Sequence, residues 1–320
     1  MKIVLPDDYS ELFSGTGDLE RLNTLGKVAH HTDRPASGDE MAERLADAEI
    51  ILTTRFSTDF KGTDLLDRMP RLKMISIMGT RPRMVDMKRA NAKNAVVSIT
   101  PGSSSTSVAE HTMMFILALA KQMHIVGPEM RAGEWKRRTG IQVEGKTLSL
   151  LGFGYIGEKM VKMAQGFGMR VIVWSKNMTP ERAATAGAEA ASLDECMAAD
   201  FVSLHLHVND GTRGLISKER LAQMRPGAFL VNTSRAALVD MDALLDTLRE
   251  GRIAGAGLDV FEPEEPLPAD SPFRSLDNAI ISAHSAANTL DARATQLRIS
   301  VDNIEAFLNG KPTNIVTEDA

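Results

Sequence analysis

Three glycines, Gly152, Gly154 and Gly157, stand as G-x-G-x-x-G directly after the apolar run Thr147 to Leu151. Each has a separate task in such a loop. The first permits a tight turn, the second lets the main chain approach a pyrophosphate, and the third lets a helix pack closely on its strand. A helix opening here aims unpaired N–H groups at phosphate oxygens. The chemistry implied is dinucleotide binding. Glycines alone are weak evidence, because they also serve ordinary turns. Here the context agrees: Met160, Met163, Ala164 and Phe167 recur at helical spacing, Gly168 ends the helix, and Arg170 to Trp174 reads as the next strand. The β-α-β unit has the ~30 residues expected.

Other chemistry-bearing side chains are sparse. His205 and His207 alternate along one strand, but no carboxylate cluster accompanies them, so no metal site is expected. His30 and His31 read as a strand end. Cys196 is the single cysteine, which excludes an internal disulfide and a cysteine-based metal cluster; it lies in a helical pattern and is expected to be packing. The net charge of −5 gives no reason to expect nucleic acid or an anionic membrane surface. The longest apolar run, Met113 to Ala120, is far shorter than the ~20 residues of a spanning helix. The start, Met1 to Pro6, is a short strand pattern interrupted by proline and is not expected to act as a secretory signal. A soluble cytoplasmic protein is the expectation.

The elements that must position the loop alternate along the whole chain. Lys2 to Leu5, Lys27 to His30, Ile50 to Thr53, Met74 to Met78 and Ala95 to Ile99 read as short buried strands, with helical patterns at Gly38 to Ala46 and Thr63 to Arg68. A long helix is expected from Thr106 to Lys121. Beyond the glycine loop, strands are expected at Phe201 to Leu206, Ala228 to Asn232, Ala254 to Leu258 and Ala279 to Ser282, with helices at Met241 to Glu250 and Asp291 to Leu308. Such alternation implies parallel sheets with helices on both faces.

Several segments together resemble the D-isomer-specific 2-hydroxyacid dehydrogenase family. They are Ser107-Val108-Ala109-Glu110-His111, Gly145-Lys146-Thr147-Leu148 before the glycine loop, His205-Leu206 followed by Thr212-Arg213-Gly214-Leu215-Ile216, Asn232-Thr233-Ser234-Arg235, Leu258-Asp259-Val260-Phe261, and His284. The resemblance implies an α/β protein of two doubly wound domains. An inserted Rossmann dinucleotide-binding domain, residues 101–287, interrupts a flavodoxin-like substrate domain made of residues 1–100 and 288–320, with the active site in the cleft between them. It implies hydride transfer between NAD(P)H and the 2-keto group of a small 2-keto acid, glyoxylate or hydroxypyruvate being the type, and a homodimer to which Trp135 contributes. In this reading His284 is the acid/base, suited by the near-neutral titration of imidazole. Glu264 orients it, counting from Asp259; counting back from Pro266 selects Glu265 instead. Arg235 binds the substrate carboxylate, for which a planar guanidinium is better matched than an ammonium. Gly152, Gly154, Tyr155, Ile156, Gly157, Ser175, Lys176, His205, Thr212, Thr233, Ser234 and Asp259 are expected to hold the cofactor, and Gly79, Thr80 and Arg81 the substrate.

The chain departs from the family pattern in places. Ala236 replaces the usual glycine after the arginine. Ala283 replaces the usual proline before the histidine, and Ser285-Ala286-Ala287 replaces a glycine-containing turn after it. Arg81 stands where a second glycine is usual. With Arg83 it suggests reach toward a second acidic group of the substrate or toward the cofactor phosphates, solvated surface charge being the plain alternative; the first keeps open a dehydrogenase of a phosphorylated or more acidic substrate. The second strand ends in Ser175-Lys176 where an NAD enzyme usually places an acid. Loss of that carboxylate removes repulsion of a 2′-phosphate and Lys176 adds attraction, favouring NADP over NAD. If Ser175 and Lys176 are ordinary turn residues, NAD binds. A protein of this fold that senses nucleotide without turnover is the rival from another class.

Overall fold

The computed structural model describes residues 1–54, 58–262 and 265–317. The chain divides into two units, Met1–Ser104 with Thr289–Ala320, and Ser105–Asn288. The sequence boundaries differ from these by a few residues.

In the first unit, the strands β1 (Lys2–Leu5), β2 (Lys27–His30), β3 (Ile50–Thr54), β4 (Met74–Met78) and β5 (Val96–Ser98) pair in the order β2-β1-β3-β4-β5, all parallel. Ile3, Val4, Ile50, Ile51, Met74 and Ile75 are all fully buried, because helices cover both faces of such a sheet. Helices α1 (Gly17–Leu25), α2 (Gly38–Leu45) and α3 (Met87–Ala92) begin at Thr16, Ser37 and Asp86, whose side chains accept N–H groups of the first turn. The C-terminal helix, Leu290–Leu308, returns to this unit: Leu297, Val301 and Ile304 pack with Ile3, Leu5, Leu52 and Met74, and the Ser76 hydroxyl donates to the Ser300 carbonyl. The helix expected at Thr63 to Arg68 is instead a turn, closed by Asp67 and Arg68 N–H groups on the Asp64 carbonyl. Pro70 stops the chain from extending that turn into a helix.

The second unit opens with α4 (Ser105–Ala120) and α5 (Met123–Arg131). Sequence reading missed α5, since Gly127 and Pro128 lie inside it and none of its residues is buried. Then follow β6 (Thr147–Leu151), α6 (Tyr155–Gly166), β7 (Arg170–Trp174), α7 (Pro180–Thr185), β8 (Glu189–Ala190), α8 (Leu193–Met197), β9 (Phe201–Leu204), α9 (Lys218–Gln223), β10 (Phe229–Asn232), α10 (Met241–Arg249), β11 (Gly255–Leu258) and β12 (Ala279–Ile281). The sheet runs β12-β11-β10-β9-β6-β7-β8, every pair parallel. The strand order reverses between β6 and β9, the arrangement that opens a ligand crevice at strand C-termini. Helix α4 lies against β10 and β11, where a Cβ on Gly257 would sit 2.8 Å from Phe115. Phe115 is fully buried there, worth roughly 1.5–3 kcal/mol of apolar transfer.

Candidate functional site

The loops leaving β12, β11, β10, β9, β6 and β7 carry, in that spatial order, His284, Asp259 with Glu265, Arg235, His205, the glycines, and Ser175. Chain order scatters these residues. Parallel pairing brings them to one edge of one sheet, with the dinucleotide loop toward one end and the histidine at the other.

The glycine loop is built as its spacing implies. Gly152 has φ +101°, and a Cβ there would fall 2.4 Å from the His205 carbonyl oxygen. Its N–H donates to the Trp174 carbonyl at 2.8 Å. Gly157 is buried, and a Cβ on it would meet the Phe153 ring at 2.9 Å. Gly154 is different: a Cβ there would meet nothing within 4 Å, so the main chain is open to an approaching group. Tyr155 and Ile156 form the first turn of α6, where helical N–H groups lack intrahelical acceptors and Gly154 offers no side-chain cap. This cradle fits a dinucleotide. At the end of β7, Ser175 is half-buried and Lys176 exposed.

His205 donates its N–H to the Leu151 carbonyl at 2.7 Å and places its ring Nε2 2.9 Å from the Ser203 hydroxyl. Burial pushes its pKa down to about 4, so the imidazole is neutral at pH 7. Thr212 closes the next turn, its hydroxyl donating to the His207 carbonyl at 2.6 Å. After β10, Asn232 is fully buried and clamps the following residues: it accepts from Ser234 N–H at 3.0 Å and donates to the Arg235 carbonyl at 2.9 Å. The Ser234 hydroxyl donates to the Leu206 carbonyl at 2.6 Å. Thr112 gives its proton to the Val108 carbonyl, so the Thr233 hydroxyl must donate to Thr112 at 2.9 Å. The Arg235 guanidinium lies against the Ser234 carbonyl.

His284 sits in a left-handed turn at φ +49°, a conformation uncommon outside glycine. Asp259 holds that turn. Its carbonyl accepts the His284 N–H at 2.9 Å, and its carboxylate accepts the Ser285 and Ala286 N–H groups, each at 2.9 Å. The Ser282 hydroxyl also donates to this carboxylate, so His111 Nε2 must be the donor in its 3.0 Å contact with Ser282. Asp259 is fully buried. The ring Nδ1 of His284 lies 2.8 Å from Glu265 Oε2, while Glu265 Oε1 accepts the Phe261 N–H at 3.2 Å. The carboxylate is thereby fixed at both ends. Glu264, the residue preferred from the count after Asp259, lies outside the described residues.

Gly79 is tied in the first unit by the Thr100 N–H on its carbonyl at 2.8 Å; Thr80 is exposed and Arg81 half-buried. No group of three or more histidine, cysteine or acidic side chains among the described residues could hold a metal. Cys196 is fully buried in α8, and burial raises its thiol pKa to about 12. No helix among the described residues is long and apolar enough to cross a membrane. Asn232, Ser282 and His111 were not singled out as site residues by sequence. Only His111 and Asn232 fell within quoted motifs, and nothing local links residue 111 to residue 282.

A glycine-cradled Rossmann unit with a histidine–carboxylate pair at the far end of its sheet defines a nicotinamide-type oxidoreductase as the class. The family model described as "D-isomer specific 2-hydroxyacid dehydrogenase, NAD binding domain" matches residues 113–286. The chain is 36% identical over 297 residues to a glyoxylate reductase of Aeropyrum pernix, covering 89% of this chain and 88% of that one. It is 37% identical over 311 residues to a D-3-phosphoglycerate dehydrogenase of Methanocaldococcus jannaschii, covering 96% of this chain but only 56% of that relative's length. Among solved structures, an acyclic imino acid reductase in complex with NADPH and D-Arg superposes with a TM-score of 0.81 at 26% identity, covering 99% of this chain and 100% of that one. The chain belongs to the D-isomer-specific 2-hydroxyacid dehydrogenase family, whose members are NAD(P)-dependent oxidoreductases.

Proposed function

We propose that the protein reduces a small 2-keto acid of the glyoxylate or hydroxypyruvate type to the D-2-hydroxy acid. The observation that carries this reading is the 2.8 Å contact between His284 Nδ1 and Glu265, which leaves Nε2 as the proton-donating face. The bound cofactor supplies the hydride that adds to the keto carbon. His284 gives the proton that the keto oxygen takes up, and Glu265 holds the ring in the donating tautomer. Arg235 pairs with the substrate carboxylate. Asp259, assigned to the cofactor on sequence, acts in this reading as a positioning residue, because its carboxylate is occupied by the turn that carries His284.

Gly152, Gly154, Gly157, Tyr155 and Ile156 cradle the pyrophosphate, and His205, Thr212, Thr233 and Ser234 border its continuation. Ser175 and Lys176 support NADP over NAD. The solvent-facing Met114 and Met123, with Lys121, Met163 and Phe167 around the same apolar face and Trp135 78% exposed nearby in sequence, support a homodimer through this face. Light scattering at micromolar concentration tests that mass directly.

The decisive assay follows absorbance at 340 nm with NADH and NADPH against glyoxylate, hydroxypyruvate, pyruvate, longer 2-keto acids and phosphorylated ones. Arg81 and Arg83 form no ion pair among the described residues, which is why the acidic substrates belong in the panel. Reduction of one class with retained cofactor binding is expected. Cofactor binding with no reduction of any member favours the sensing protein instead. Glu265→Gln should lower kcat while Glu264→Gln does not; the reverse outcome moves the orienting role to Glu264.

A further inference from the structure

Between the glycine loop and the end of β7 lies a cation that neither motif contains. Arg182, on α7, reaches back across both segments. Its guanidinium donates to the Phe153 carbonyl at 3.2 Å and to the Asn177 carbonyl at 3.3 Å, and its Cζ lies 5.6 Å from the Phe153 ring centroid. Phe153 is the residue between Gly152 and Gly154, and Asn177 follows Lys176. One side chain therefore links the two loops that flank the adenosine end of a Rossmann site.

We infer that Arg182 is the specificity-determining cation for the 2′-phosphate of NADPH, acting with Lys176. The inference rests on the NADP reading of the β7 end. Both present acceptors are neutral carbonyls at distances longer than the usual 2.9–3.0 Å mode for such bonds. A guanidinium has five N–H donors, so donors remain for a further acceptor. Among the described residues no carboxylate pairs with Arg182. The nearest acid in sequence, Glu181, is engaged by its own N–H and then by the Thr179 side chain, which lower its pKa. An unneutralised arginine with spare donors, anchored beside an exposed lysine, matches a phosphate dianion and gains nothing specific from a ribose hydroxyl. The two carbonyl bonds and the Phe153 ring nearby hold the guanidinium in place and leave three of its five N–H donors for a ligand.

The test measures binding, so it stands apart from turnover. Dissociation constants for NADPH, NADH, 2′,5′-ADP and 5′-AMP are compared for wild type, Arg182→Ala and Arg182→Lys by fluorescence and calorimetry. Losing a charge-assisted contact should weaken NADPH and 2′,5′-ADP by about 10- to 100-fold in Arg182→Ala and less in Arg182→Lys. NADH and 5′-AMP should be unchanged. Equal weakening of both pairs overturns the inference and makes Arg182 a structural tie between loops. Retained NADPH preference in Arg182→Ala overturns it too, leaving Lys176 as the determinant. A wild type that does not prefer NADPH overturns the NADP reading itself, and the inference with it.

Discussion

Asp259→Asn separates what positions the acid/base histidine from what performs its chemistry. The carboxylate accepts three hydrogen bonds through its two oxygens, from the Ser282 hydroxyl and Ser285 N–H at Oδ1 and from the Ala286 N–H at Oδ2. Asparagine keeps one acceptor oxygen and turns the other into an NH2 group. With its oxygen placed at Oδ1 the substitution loses least, and the NH2 then faces the Ala286 N–H, which is left unsatisfied in a buried position at roughly 1–3 kcal/mol. The two surviving bonds change from charged to neutral acceptor, adding about 1 kcal/mol. The total is roughly 2–4 kcal/mol, which for a unit of this size lowers Tm by about 5–15 °C. The turn at φ +49° is then held less firmly, and a displacement of about 1 Å at a reacting group can cost on the order of 100-fold in rate. Differential scanning fluorimetry gives the first quantity, and kcat with the best 2-keto acid gives the second. A variant with unchanged Tm and unchanged kcat refutes the clamp. A variant with lowered Tm and full kcat shows that the carboxylate stabilises the sheet edge without positioning His284. Ser282→Ala removes one donor and leaves the two N–H bonds intact, so it should show a smaller fall in both.

Two further outcomes follow from the shifted groups. The His205 imidazole has its pKa depressed to about 4 by burial, so the native state binds fewer protons than the unfolded chain below pH ~6.5. Its contribution is present above pH ~6.5 and is lost as pH falls toward 4, on the order of 3 kcal/mol at the lower end. His205→Asn should flatten Tm against pH across that window relative to wild type; an unchanged slope removes His205 as the cause. The Cys196 thiol, fully buried with its pKa near 12, should resist a disulfide reagent at pH 8 in the native protein and react once the chain is unfolded in guanidinium. Rapid reaction of the native protein contradicts its burial.

Legibility in the sequence followed the range of the forces involved. The glycine loop was readable because each of its demands, a positive φ at Gly152 and close packing at Gly157, is met by the same residue type in a short window. Most strands were readable because a parallel sheet covered on both faces needs continuous apolar runs such as Ile50 to Leu52 and Val171 to Val173. Helix α5 was not, because its glycine and proline speak against a helix locally. The Thr63 to Arg68 segment had a helix-like pattern but too little length before Pro70 to sustain one.

The sequence by itself determined the class of fold and the kinds of side chain the site would use, because periodicity and glycine placement are local properties. Which carboxylate meets His284, which groups clamp its turn, and which cation lies across the dinucleotide loop were decided only in three dimensions. Glu265 meets the imidazole at 2.8 Å, a choice that counting from the two ends left open. His111 meets Ser282 across 171 residues, and Arg182 meets Phe153 across 29. Parallel strand pairing sets such neighbours by sheet order, β12 beside β11 and β6 beside β7, rather than by distance along the chain.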